Sequence, residues 1–179
     1  MSKKYVLTAL AAFCLAACGG SEKSYVSESG NAIITERPGK ATMVSNDVNS
    51  DPMQVAIHEA RGSIDHFFEM KDMKDANYSN FTIKAGLPTK DNSFEHIWVS
   101  NVKRQGGDFY GQLDNDPYNL SGDLKIGDTV SFKVDQITDW GYSDGLRQRG
   151  HFTTRLLINE LPEEDRRMMV AILHDQPLP

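Results

Sequence analysis

The sequence predicts an α+β domain: a twisted antiparallel sheet of about five strands, packed with one N-terminal and one C-terminal helix. Three observations predict it. Residues 52–68 carry apolar side chains at helical spacing, residues 81–134 carry several period-two stretches separated by glycine and polar turns, and residues 162–174 return to a helical pattern. Strands clustered between two terminal helices favour an antiparallel sheet over a parallel one.

The first helix is predicted from Pro52, which suits an opening turn, with Asp51 as its cap. Met53, Ala56, Ile57, Ala60, Ile64, Phe67 and Phe68 fall on one face, and His58, Glu59, Asp65, His66 and Glu69 on the other. Phe81, Ile83, Ala85 and Leu87 alternate with Thr82, Lys84 and Gly86, as in a half-buried strand. In the stretch Phe94 to Lys103, Phe94, His96, Trp98 and Val102 share one face and Ile97 and Val99 the other, so a central strand covered on both sides is expected. The turn Gln105-Gly106-Gly107-Asp108 joins it to a partner carrying Phe109, Gly111 and Leu113. After a polar loop and the turn Ile126-Gly127-Asp128, Val130, Phe132 and Val134 alternate in a strand expected to reach Ile137 and end near Asp139-Trp140-Gly141. Phe152 to Ile158 reads as the last strand. Pro162 then opens a helix with Glu163, Glu164 and Asp165 in its first turn and His174 in its last, the charge order favoured by the helix dipole, and with Met168, Met169, Ile172 and Leu173 on its buried side.

The N-terminal region has a different character. Lys3 and Lys4 precede an apolar run from Tyr5 to Phe13, and Leu15-Ala16-Ala17-Cys18 resembles the lipobox of bacterial lipoproteins. The resemblance implies removal of residues 1–17 and acylation of Cys18, which anchors the chain by two or more acyl chains. Gly19, where an aspartate would favour retention at the inner membrane, gives the expected address as the periplasmic face of the outer membrane, or the exterior of the plasma membrane in a host with one membrane. Residues 18–51 are rich in Ser, Gly, Asn and charged residues, and read as the lipidated cysteine and a mostly flexible tether. A coil of that length spans on the order of 30 Å. Within it, Ile33-Ile34-Thr35 can dock as a short edge strand. A single domain is expected over 52–179.

Loss of the leader removes two lysines, leaving 17 basic against 25 acidic side chains, a formal charge of −8. That balance argues against nucleic acid as a partner. Cys14 lies in the leader and Cys18 is the acylation site, so the mature domain has no free thiol and its stability must come from a packed core.

Five short motifs in order carry a family resemblance: Glu95-His96-Ile97-Trp98-Val99, Phe109-Tyr110-Gly111-Gln112-Leu113, Asn115-Asp116-Pro117, Ile126-Gly127-Asp128-Thr129-Val130 and Ile137-Thr138-Asp139-Trp140. Together, over about residues 53–158, they resemble the YegJ-like family of uncharacterised bacterial proteins. The resemblance implies a fold and export, and brings no catalytic residue with it.

No catalytic set is legible. His58-Glu59 begins like a zinc-protease helix, but the position four after His58 is Gly62. Glu59 and His66, seven apart, read as a solvated face, so neither metal nor cofactor is expected. The Gln105-Gly106-Gly107-Asp108 turn lacks the lysine and the following Ser/Thr of a phosphate loop. The richest group is Glu95, His96, Trp98, Asp139 and Trp140, a candidate binding surface in which acids and indoles come from two strand segments. Glu95 and His96, adjacent on a strand, should face opposite ways. The alternative is that both tryptophans anchor the core and Asp139 accepts hydrogen bonds in a turn. The expected function is a membrane-anchored, non-catalytic module that binds another envelope protein. Other readings are an immunity or inhibitor protein against an envelope-acting toxin, a small-ligand or carbohydrate binder using Trp98 and Trp140, and a hydrolase using Glu95, His96 or Asp139.

Overall fold

A computed structural model describes residues 5–7, 21–39, 42–47 and 49–179. Cys18 and most of the expected leader lie outside the described residues. Six antiparallel strands make the main sheet: β5 (Tyr78–Pro88), β6 (Phe94–Gln105), β7 (Asp108–Leu113), β8 (Thr129–Lys133), β9 (Ile137–Asp144) and β10 (Arg147–Gly150). Their order is β10-β9-β5-β6, with β7 beside the C-terminal half of β6 and β8 beside β7. Helices α1 (Asp51–Gly62) and α2 (Ile64–Met73) precede the sheet, and α3 (Phe152–Leu157) and α4 (Glu163–Ile172) follow it. The predicted α+β class, antiparallel sheet and terminal helices are all present.

The first helix is broken once, at Ser63, whose hydroxyl donates to the Glu59 carbonyl (2.7 Å). Its cap position is Ser50, not Asp51, and Asp51 and Pro52 form the opening turn. The apolar stripe serves two cores. Ala56, Ala60, Ile64 and Phe67 pack on Ile83, Ile97, Val99, Trp140 and Tyr142 of the sheet, whereas Met53 and Ile57 join Ala32, Ile34, Val44, Leu157, Leu161, Met169 and Leu173.

That second core corrects the reading of residues 19–51 as a mostly flexible tether. The segment forms β2 (Lys23–Val26), β3 (Ile33–Glu36) and β4 (Met43–Asn46), an antiparallel three-stranded sheet whose Ile34 and Val44 are fully buried. Strands of four residues, half exposed, carry too few apolar positions to lift the composition above that of a coil. Backbone residues Tyr5–Leu7 form β1, which pairs antiparallel with β4 and parallel with β6 and so joins the two sheets.

Three further differences have local causes. The expected strand through Ile137 is two strands, because a 3₁₀ turn at Val134–Gln136 separates β8, which pairs with β7, from β9, which pairs with β5 and β10. Phe152 to Ile158 is helical. Val102 shares the core face of Ile97 and Val99 and not that of Trp98, because β6 carries an extra residue between Ser100 and Lys103, with Asn101 at φ 53°. Gly111 faces this bulge, where a Cβ would stand 2.6 Å from the Ser100 carbonyl oxygen. The C-terminal helix buries Met169, with Leu173 just beyond it, while Met168 and Ile172 are partly exposed. Beyond it, residues 173–178 run along β10, held by Arg147, Arg149 and Arg155 donating to the carbonyls of Leu173, Gln176, Leu178 and His174. This covers a sheet edge that would otherwise be open.

Candidate functional site

Local backbone geometry at β9 decides where the predicted site residues go. Lys84 on β5 stands opposite Asp139 and Ala85 opposite Ile137, so Thr138 is an extra residue, a β-bulge that re-aims the side chains around it. Asp139 is fully buried, and its carboxylate takes four donors. Oδ1 accepts the backbone N–H groups of Trp140 and Phe152 (both 2.9 Å), and Oδ2 accepts the Thr153 N–H (2.9 Å) and hydroxyl (2.5 Å). Phe152 and Thr153 open α3, so Asp139 caps from a distant strand the amides that a helix start leaves unpaired. Lys84 Nζ lies 3.8 Å from Asp139 Oδ2, donates to Thr153 Oγ1 at 3.1 Å and stands 4.6 Å from the centre of the Trp98 ring. Lys84 is 0% exposed. Burial lowers its pKa to about 8, against the opposing pull of the Asp139 charge.

The Thr138 hydroxyl donates to the Lys84 carbonyl (3.3 Å) and therefore receives the proton of His96 Nδ1 (3.1 Å), which assigns the His96 tautomer. Burial pushes His96 down to about 4, and the Lys84 charge acts in the same direction. His151 packs on Trp98 at 5.1 Å between ring centres and pairs its Nε2 with Gln148 Oε1 at 2.9 Å. Its pKa also falls to about 4, first through burial, with Asp139 opposing and Lys84 and Arg155 reinforcing.

Three of the five predicted residues, His96, Trp98 and Asp139, thus meet around Lys84. The other two do not. Glu95 points away, as the strand parity requires, and its carboxylate accepts the N–H groups of Tyr118 (2.8 Å) and Asn119 (2.8 Å), clamping the loop after β7. Trp140 lies in the main core, stacked on Tyr142, with Nε1 donating to the Ala60 carbonyl at 2.8 Å. All five are at most 5% exposed, so they form buried structure and not the exposed binding surface expected. Lys84, Thr138, Thr153 and His151 belong to the cluster but went unrecognised. Alternation along β5 placed Lys84 opposite the core face, and that second face is covered too, which a single strand's pattern does not reveal.

Trp98 and His151, with Gln148, Thr154, Met169, Ile172 and Leu173, line a cavity of about 30 Å³, room for one or two water-sized molecules. Thr154 Oγ1 is buried there without a hydrogen-bond partner among the described residues. His66 does not share a solvated face with Glu59: it packs on Trp140 and Tyr142, at 6.1 and 6.4 Å between ring centres. Among the described residues, no three His, Cys, Asp or Glu side chains group as metal ligands, and no helix is long and apolar enough to cross a membrane.

Comparison with known proteins agrees with the motif resemblance. The chain is 32% identical over 124 residues, 69% of its length and 78% of the relative's, to a protein of Escherichia coli K12 described as uncharacterized protein YegJ. It is also 32% identical over 72 residues, 40% of its length, to a putative ankyrin repeat protein of Neisseria meningitidis serogroup B, of which the match spans 28%. Solved structures offer no significant match. A family model described as "Uncharacterized protein conserved in bacteria (DUF2314)" matches residues 50–172, which takes in α4 as well as the motif region and leaves the small N-terminal sheet outside. From the first turn of α1 to the end of α4, the chain therefore belongs to the DUF2314 family of uncharacterized bacterial proteins.

Proposed function

We propose that this protein is a lipid-anchored envelope protein whose folded part binds another envelope protein and performs no catalysis. The observation that carries this reading is the commitment of the acid-base residues to the fold. Asp139 caps α3, Glu95 clamps a loop, and the His96 and Lys84 side chains hydrogen-bond to buried threonines, so none is presented to a substrate. What faces solvent suits recognition better. Phe94 and Tyr118 are about half exposed, and both adjoin Glu95, one as its chain neighbour and the other through the clamped loop. Rigidly held aromatic side chains among polar groups are the usual anchors of protein interfaces. The formal charge of −8 after loss of the leader favours a basic partner.

In-cell cross-linking of the full-length protein, followed by mass spectrometry, tests this. One abundant envelope partner, lost when Cys18→Ser prevents acylation and reduced by Tyr118→Ala, is the expected result. A folded, membrane-retained protein with no reproducible partner overturns it.

A further inference from the structure

Strand β1 fills a slot one strand wide. It runs parallel to β6, with Val6 opposite Glu95 and Leu7 opposite His96, and antiparallel to β4, with Tyr5 opposite Asn46 and Leu7 opposite Val44. The rest of the fold leaves these two edges facing each other. β6 pairs with β5 from Phe94 to Ser100 on one side, but on its other side β7 begins only at Val99. At Trp98 the loop after β7 takes over, with the Asp114 N–H on the Trp98 carbonyl (2.9 Å) and the Trp98 N–H on Asn115 Oδ1 (3.1 Å). Among the described residues, β1 is the strand that pairs with β6 at Glu95 and His96 on this side. β4 likewise has β3 on one side and β1 on the other.

The slot's width does not depend on β1. Helix α1 places Ala56 and Ala60 in the core of the main sheet and Met53 and Ile57 in the core beneath β3 and β4. One rigid helix therefore fixes both sheets. Closing β4 directly onto β6 would move it by one strand spacing, about 4.8 Å, through a packed interior.

Tyr5–Leu7 belongs to the leader expected to be removed before Cys18. We propose that in the mature protein the slot between β4 and β6 accepts an extended segment of the envelope partner, laid parallel to β6 and antiparallel to β4. This rests on the lipoprotein reading above. The segment that fills the slot here gives the chemistry of the occupant: a short uncharged run with β-forming residues, Tyr-Val-Leu, preceded by two lysines. Main-chain hydrogen bonds on both sides supply affinity, and the basic flank suits an acidic host domain. Phe94 borders the slot next to Glu95.

The test begins with the intact mass of the protein extracted from membranes. A leader still attached overturns the anchoring reading and, with it, this one. With the leader removed, a secreted soluble form comprising residues 18–179 and carrying Cys18→Ser is titrated with a labelled peptide of residues 3–10. Saturable binding is expected, with slowed amide exchange confined to His96 and to the β4 amides that face away from β3. N-methylation of the peptide at Val6 or Leu7 removes a main-chain donor and should weaken binding about tenfold. No binding, equal binding of the methylated peptides, or slot-facing amides of β4 and His96 already protected in the free domain each overturn the proposal and leave the anchoring reading standing.

Discussion

Asp139 and Lys84 face each other in a fully buried setting, yet they are not equivalent. The carboxylate satisfies four donors besides the lysine, whereas Lys84 is held by one hydroxyl, the Trp98 ring and a carboxylate oxygen at 3.8 Å. Asp139→Asn keeps the shape but replaces one acceptor by an amide donor turned toward N–H groups, and leaves a buried ammonium without its counter-charge. It should cost about 3–5 kcal/mol. Lys84→Met relieves a desolvation penalty and leaves the carboxylate with its four donors, so its cost should stay below about 2 kcal/mol. Urea midpoints at pH 7 with unchanged m-values check the ranking, and equal losses would mean that the ion pair, not the helix cap, dominates. Sequence reading singled out Asp139 and gave it a hydrogen-bonding role as one alternative. Its partners in α3 lie 13 and 14 residues away, in a stretch read as strand, so the cap itself was not legible.

Among the elements, α3 shows why local pattern misleads. Phe152-Thr153-Thr154-Arg155-Leu156-Leu157-Ile158 is rich in β-forming residues. It folds as a helix because His151 adopts a left-handed backbone (φ 58°) and the Asp139 carboxylate waits to receive the first two amides. Tertiary contact outweighs propensities worth a few tenths of a kcal/mol per residue. The same helix carries an unsatisfied group, the buried Thr154 hydroxyl in the small cavity. Thr154→Val should raise stability by up to about 1 kcal/mol, since it removes a desolvated hydroxyl with little change of volume. A urea midpoint that falls instead would show that the hydroxyl is bonded in solution. Strands β5 to β8 were legible because each alternates against a covered face, and α1, α2 and α4 because their stripes are periodic. The bulges at Thr138 and Asn101 were not, since one extra residue changes every later orientation without changing composition.

For the molecule as a whole, the buried His96 and the partly buried His151 link folding to pH. His96 and His151 both titrate near 4 in the folded state against 6.5 in the unfolded chain. The unfolded state therefore binds more protons between those values, and stability falls as pH falls through that window. Each histidine should contribute a slope of about 1.4 kcal/mol per pH unit near pH 5. Urea midpoints measured from pH 4 to 8 should show this loss, and His151→Gln should remove about half of the slope. An unchanged slope in that variant would mean that His151 is solvated and titrates normally. Lys84 acts in the same sense higher up: with its pKa lowered to about 8 from 10.5, its burial penalty is full below pH 8 and relaxes as pH rises toward 10.5.

By itself the sequence determined the α+β class, the positions of β5 to β8 and of the helices at either end of the domain, the family resemblance and the expectation of a lipidated Cys18. These rest on short-range periodicity and contiguous motifs, which a linear chain displays directly. Tertiary structure alone decided that residues 23–46 form a second sheet with its own core, that Lys84 is buried on the far face of β5, and that the acids and indoles of the richest motif group are interior. Burial is a property of what packs from the other side, and the covering residues come from segments far away in the chain. The strand-wide slot between β4 and β6 has the same origin, because two edges from distant segments face each other only after α1 has joined both cores.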